Sequence, residues 1–278
     1  MPEAKERLQP RAPILSGPPG RRRVDAVMRR LGRAVTGLEE PAVEKIAQNQ
    51  KEDAFQVLIA TMLSAQTRDA VTHAASTRLF KVARTPRTLG RLPVKEIERL
   101  IYPVSFYRNK AVHVKAACEQ LLSRFGGRVP DSMDALLTLP GVGRKTANLV
   151  LILAHKSGDN ICVDTHVHRI SNRLGWVATR TPEETEHRLY EVVPRRWWPL
   201  VNLYLVTWGQ NVCKPVYPRC GSCAIVDLCP RIGVTRSSAW KPPFHSGVAS
   251  GLSRKAAAGA RLPPEGGSHQ NPQTRGTR

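Results

Sequence analysis

The chain has 278 residues, 41% of them apolar, with 43 Lys and Arg against 22 Asp and Glu for a formal net charge of +21. That length buries a sizeable core, while no window approaches the ~18 consecutive apolar residues of a membrane span. The N-terminus carries no apolar run behind basic residues, so no secretory signal is expected, and six cysteines in a reducing compartment argue against a disulfide framework.

Basic charge runs along the whole chain. Residues 1–23 hold six basic and two acidic residues and residues 231–278 eight and one, which leaves the body between them at about +10 by difference. A basic body points to a polyanion partner, nucleic acid first; a general solubility effect is the plain alternative. Both ends lack periodic apolar residues and read as disordered tails.

The body reads as helical. Phe55, Leu58, Ile59, Met62 and Leu63 fall at i, i+3, i+4, i+7 and i+8, which predicts an amphipathic helix. Residues 69–83 and 109–124 show a looser version. Asp131-Ser132 can cap a short helix over Met133 to Thr138. Leu139-Pro140-Gly141-Val142-Gly143 follows, then Arg144-Lys145-Thr146 and a largely apolar stretch to Ala154. This is helix, tight glycine turn, helix. Two glycines let the backbone bend and leave its N–H groups uncovered, and the next helix starts there with its free N–H groups and positive dipole end. Such a corner holds a phosphate without reading a base; an ordinary helix connector is the alternative. It is not a nucleotide-binding P-loop, because Arg144 stands where that motif needs Gly.

Lys145 lies in the first turn of the apolar helix. Apolar surroundings and the positive helix end both disfavour an ammonium, and a neutral amine is a nucleophile able to form a Schiff base with a sugar C1′. A solvated or phosphate-contacting lysine is the competing reading. Further on, Ile161-Cys162-Val163 is a short apolar run that ends in Asp164-Thr165-His166-Val167-His168-Arg169. Asp164 has the position of an N-cap for a helix over about 165–174, and a carboxylate there could also stabilise positive charge on a sugar or assist proton transfer. His166 and His168, two apart, face different directions on a helix, so a shared metal ion is not expected. Thr181-Pro182-Glu183-Glu184 predicts another helix start, with Glu184 closing a capping box, and helices should cover residues to about Val192 and again about 196–211. Few or no strands are expected.

Cys213, Cys220, Cys223 and Cys229 give the spacing C-x6-C-x2-C-x5-C. Four thiols in a short loop suit tetrahedral zinc or a [4Fe–4S] cluster, and spacing alone leaves both open. Cys118 and Cys162 read as buried and inert.

Three segments together resemble one family: Leu139 through Asn148, Val163 through Arg169, and the cysteine spacing. They are similar to the endonuclease III branch of the helix-hairpin-helix DNA glycosylases over about Val24 to Pro230. The resemblance implies an all-α, two-lobed fold. A six-helix barrel with the hairpin would cover 47–157. The N-terminal helix at 24–46 would pack on a lobe at 158–230 that holds a [4Fe–4S] cluster on the four cysteines. It implies a bifunctional glycosylase and AP lyase acting on oxidised pyrimidines and abasic sites in double-stranded DNA, with Lys145 as nucleophile and Asp164 as its partner. Gln66, in Leu63-Ser64-Ala65-Gln66, would fill the gap left by the extruded nucleotide. Phe106, where bacterial relatives often carry Leu, would wedge the opposite strand. Leu139, Gly141, Val142, Gly143 and Arg144 would meet the DNA backbone. A monomer in the bacterial cytoplasm is the default expectation, with nucleus or mitochondrion in a eukaryote. Two rivals remain at this level: a monofunctional mismatch glycosylase, which usually lacks lysine at this position, and a non-catalytic DNA-binding module with structural zinc.

Overall fold

The computed structural model describes residues 20–49 and 53–237; within them the chain is helical and contains no strand. The helices are α1 (Arg21–Ala34), α2 (Ala42–Asn49), α3 (Ala54–Ser64), α4 (Asp69–Val82), α5 (Pro86–Gly90), α6 (Val94–Ile101), α7 (Tyr107–Arg124), α8 (Met133–Leu137), α9 (Arg144–Leu153), α10 (Thr165–Arg173), α11 (Pro182–Val192) and α12 (Trp198–Asn211).

Side-chain caps set several of the starts. The Ser132 and Thr181 hydroxyls accept from the backbone N–H groups of Ala135 and Glu184, each satisfying one of the free donors of a helix N-terminus. Glu184 does not close the expected capping box: its carboxylate accepts from the backbone N–H of Arg180, 2.8 Å away, one residue before the cap.

Two apolar cores organise the helices. Side chains of α2 through α9 build the first, with Leu58, Leu79, Ile97, Val114, Leu121 and Val150 fully buried. The second joins α1, α10, α11 and α12 and includes Trp176 and Trp197. The chain therefore opens in the second core, builds the first, and returns. The sequence grouped residues up to 46 with the N-terminal helix, but Val43 and Ile46 already pack in the first core, because α2 is a separate helix lying against α3 and α4. The expected tails are also shorter. Residues 21–23 open α1, where the Arg23 guanidinium donates to the Leu228 carbonyl at 2.7 Å, and the Ile232 N–H donates to the Arg173 carbonyl at 3.1 Å. The rest of both tails lies outside the described residues.

The connection between α9 and α10 belongs to both cores. Ile161 and Val163 pack in the second core and Cys162, between them, in the first. Alternation along extended backbone produces this split. Asn202 of α12 donates to the Cys162 carbonyl at 3.1 Å and holds the segment in place. Asp164, the next residue but one, thereby stands where the two cores meet. Burial raises the Cys162 and Cys118 thiols well above the usual thiol range, consistent with inert core residues.

Candidate active-site cleft

Lys145, Asp164, Gln66, Glu44, His166 and Gln210 share one solvent-open cleft of about 890 Å³. Lys145 is the second residue of α9 and is exposed. The apolar face of α9 turns into the first core and leaves this side chain over the cleft, not in the apolar surroundings its sequence neighbours suggested. Asp164 caps α10 with its Oδ1 accepting from the N–H groups of His166 and Val167 at 2.8 and 2.9 Å. Its second oxygen makes none of these contacts. His166, the second residue of α10, also lines the cleft, with Arg169 bonded to its Nδ1 at 3.1 Å, and burial keeps its imidazole below the usual range. Gly209 of α12 lies directly against the His166 ring, where a Cβ would collide.

Gln66 is exposed and left-handed, with φ of 54°, immediately past α3. Its turn is held from behind by Lys110 of α7, whose Nζ donates to the Leu63 and Ala65 carbonyls at 2.7 and 2.5 Å and to the Thr67 hydroxyl at 3.2 Å. Half-burial, with the nearby charge of Lys145 adding, brings Lys110 down to about 8. Phe106 does not line the cleft. It stands at the start of α7, left-handed and 64% exposed. Thr67 joins the two turns, since its hydroxyl also accepts from the Ser105 N–H at 3.3 Å.

The glycine hairpin differs from its sequence expectation in three ways. Leu139 and Val142 are buried in the first core and their N–H groups donate to the Leu136 and Leu139 carbonyls, so both residues anchor the turn. Gly141 alone needs to be glycine: its φ is +77° and a Cβ would stand 2.9 Å from the Cβ of His113, whereas Gly143 is extended with open space around it. Arg144 is not a free cation, because its guanidinium pairs with Glu186 of α11 at 2.6 Å. The Glu186 side chain is 4% exposed, and a carboxylate that far out of water holds on to a partner. Gly141→Ala should therefore lower stability by about 1–2 kcal/mol and weaken duplex binding. Thermal melts and fluorescence anisotropy on the same sample check both, and a variant with unchanged melting and binding would remove the argument.

The four cysteines line a separate cavity walled by Ile170, Leu174, Trp208 and Val212, and none is in a disulfide. Among the described residues no three His, Cys, Asp or Glu side chains group tightly enough for a single ion. Arg173 is 9% exposed and has no carboxylate partner among the described residues. Its guanidinium lies 3.3 Å from Cys213 Sγ and donates to the Lys214 and Pro215 carbonyls.

Sequence reading missed Glu44, Asp69 and Gln210. Asp69 accepts from the Ala42 N–H at 2.9 Å and from Gln210 Nε2 at 3.1 Å, tying α2, α4 and α12 together in the cleft wall. Partners 27 and 141 residues away leave no local signal.

The model of the HhH-GPD superfamily of base excision DNA repair proteins matches residues 59–195. Endonuclease III of Thermotoga maritima is 47% identical over 193 residues, which cover 69% of this chain and 90% of the relative. The chain belongs to the endonuclease III family. Endonuclease III of Escherichia coli K12 is 39% identical over 63% of this chain and 82% of its own length. A solved structure of a trapped endonuclease III–DNA covalent intermediate superposes with a TM-score of 0.67 at 32% identity, covering 76% of this chain and 96% of that one. This endonuclease III homologue is accordingly an all-α DNA glycosylase/AP lyase of base excision repair. Iron–sulfur centres are general in its family. Among the described residues no helix is long and apolar enough to cross a membrane.

Proposed function

We propose that the cleft between the two cores receives an oxidised pyrimidine extruded from double-stranded DNA, and that Lys145 attacks its C1′. The observation that carries this reading is the meeting of Lys145 and Asp164, 19 positions apart in sequence, in one solvent-open cleft. As the nitrogen–carbon bond forms at C1′, the glycosidic bond breaks and the base leaves with its electron pair. The lysine nitrogen's lone pair then opens the C1′–O4′ bond of the sugar ring, O4′ takes up a proton, and the resulting Schiff base acidifies the C2′ proton; its removal expels the 3′ phosphate and nicks the strand. The Asp164 carboxylate stabilises positive charge on the sugar while its other contacts keep α10 capped.

The backbone N–H groups of Gly141 and Gly143 and the N-terminus of α9 hold a phosphate beside the lesion, while the Val142 N–H closes the turn onto the Leu139 carbonyl. Gln66, exposed on its left-handed turn, fills the vacated stack, and Phe106 wedges the opposite strand, offsetting an unstacking cost of a few kcal/mol. Arg144 contributes through its link to α11 as much as through its charge. The protein acts as a monomer. Its compartment follows its DNA: bacterial cytoplasm by default, nucleus or mitochondrion in a eukaryotic cell.

Cys213, Cys220, Cys223 and Cys229 would hold a [4Fe–4S] cluster. Four thiols set apart around one apolar cavity suit four irons better than one ion, and the buried Arg173 guanidinium beside Cys213 suits a centre of net negative charge. When bound, the cluster crosslinks the 213–229 loop and needs no electron transfer. Cys220→Ser should lose the broad visible absorption of the brown wild-type protein, lower its iron content and melt earlier. A colourless, zinc-loaded wild type would overturn the assignment.

The function as a whole is tested by incubating the protein with duplex DNA carrying one abasic site and adding borohydride. A covalent protein–DNA adduct is expected. No adduct from well-folded protein would remove the Schiff-base reading and favour a water-activating, monofunctional enzyme.

A further inference from the structure

Glu44 has no role in the chemistry above, yet it forms part of the cleft wall. It is the third residue of α2 and 7% exposed. Among the described residues no hydrogen bond or ion pair reaches its carboxyl. Burying a carboxyl without a partner is costly, and each such group in a folded protein calls for an explanation. Its opening onto the cleft leaves the carboxyl accessible to solvent or to a ligand held there.

We propose that Glu44 is a specificity-determining residue that hydrogen-bonds the Watson–Crick edge of the pyrimidine lesion held in the cleft. The proposal rests on the cleft being the base-accepting site. A carboxylic acid presents one donor and one acceptor side by side. Its carbonyl oxygen can accept from the N3–H of a thymine- or uracil-type lesion while its O–H donates to the neighbouring ring carbonyl. Against a cytosine-type lesion it donates to N3 and accepts from the exocyclic amine. A carboxylate accepts only, and it would face a ring carbonyl oxygen with like partial charge.

The surroundings keep the acid form available. Burial pushes Glu44 up to about 7, Glu40 on the preceding loop adds to the rise, and Lys156, beyond α9, opposes it. Of the two helices most broadly packed on α2, α3 carries no titratable side chain and α4 brings Asp69 and His73 near its N-terminal end, while Lys145, Asp164 and His166 line the same cleft. Base recognition should thus weaken as the pH rises through about 7, when the acid gives up its proton, while steps that involve no base are not affected through this group.

The test compares kcat/KM for base release from a duplex with a single thymine glycol against kcat/KM for nicking a preformed abasic site, which has no base to read. Glu44→Ala should lower the first at least about 10-fold more than the second. Glu44→Gln keeps one donor and one acceptor, so its ratio should stay near that of the wild type and remain flat with pH, while the wild-type ratio falls above about 7. Equal losses on both substrates, or none, would overturn the role of Glu44 and leave the Lys145 chemistry standing. If the alanine variant does not fold, a glutamine ratio that still falls with pH would overturn it alone. A wild type that nicks no abasic site would remove the reading beneath the proposal, and the proposal with it.

Discussion

Lys145→Ala should abolish the borohydride-trapped adduct with abasic DNA and lower strand nicking at least about a thousandfold, since removing a covalent nucleophile removes the pathway itself. The fold should be indifferent to the change. Among the described residues no hydrogen bond or ion pair holds the Lys145 ammonium, and the side chain is exposed. Exposed substitutions of this kind stay within about 0.5 kcal/mol. Removing a cation from the first turn of α9 also relieves its repulsion with the positive helix end, so any shift in melting temperature should be slightly upward. The measurement is gel-resolved adduct formation beside a thermal melt. An adduct that persists in Lys145→Ala would transfer the nucleophile elsewhere. Lys110 is the nearby alternative amine, but three oxygen acceptors already hold its Nζ.

Asp164→Asn separates the two jobs of one side chain. Asn caps helices about as well as Asp, so the N–H groups of His166 and Val167 keep their acceptor and the melting temperature should barely move. The charge facing the sugar is lost, and base release should fall at least about 100-fold. Asp164→Ala should lose both functions: the same kinetic defect and about 1 kcal/mol of stability from the missing cap, a shift of a few degrees for a domain of this size. Kinetics and melts on the two variants decide the matter. An asparagine variant as active as the wild type would reduce Asp164 to a structural cap.

The parts of this protein that were legible in its sequence are those governed by neighbours within about four residues. The apolar spacing from Phe55 to Leu63 and the caps at Ser132, Asp164 and Thr181 each correspond to an observed helix or helix start, although α3 is buried on every side from Phe55 to Leu63 and not along one stripe as its spacing suggested. Gly141 carried its conformational meaning in its identity. The misread features depend on residues far away. Leu139 and Val142 are buried by α7 and α9, and Arg144 faces Glu186 from 42 positions away. α5 and α6 are too short to show a period, although Thr85-Pro86 ahead of α5 was a usable start signal and does form a capping box with Thr88.

By itself, the sequence determined the helical class, the family, and the residue types able to do the chemistry: an amine at a helix start, a carboxylate at another, four thiols in a loop. Short-range hydrogen bonding and apolar periodicity encode these, and neither needs the rest of the chain. Only the tertiary structure decided which of them meet. Ile161, Cys162 and Val163, pointing alternately into two cores, set Asp164 at their junction, opposite Lys145. Asp69 drew α2 against α12 and so put Glu44 on the cleft wall. Packing two cores against each other brings together groups whose sequence separation carries no information about their distance, and the composition of the cleft follows from that packing alone.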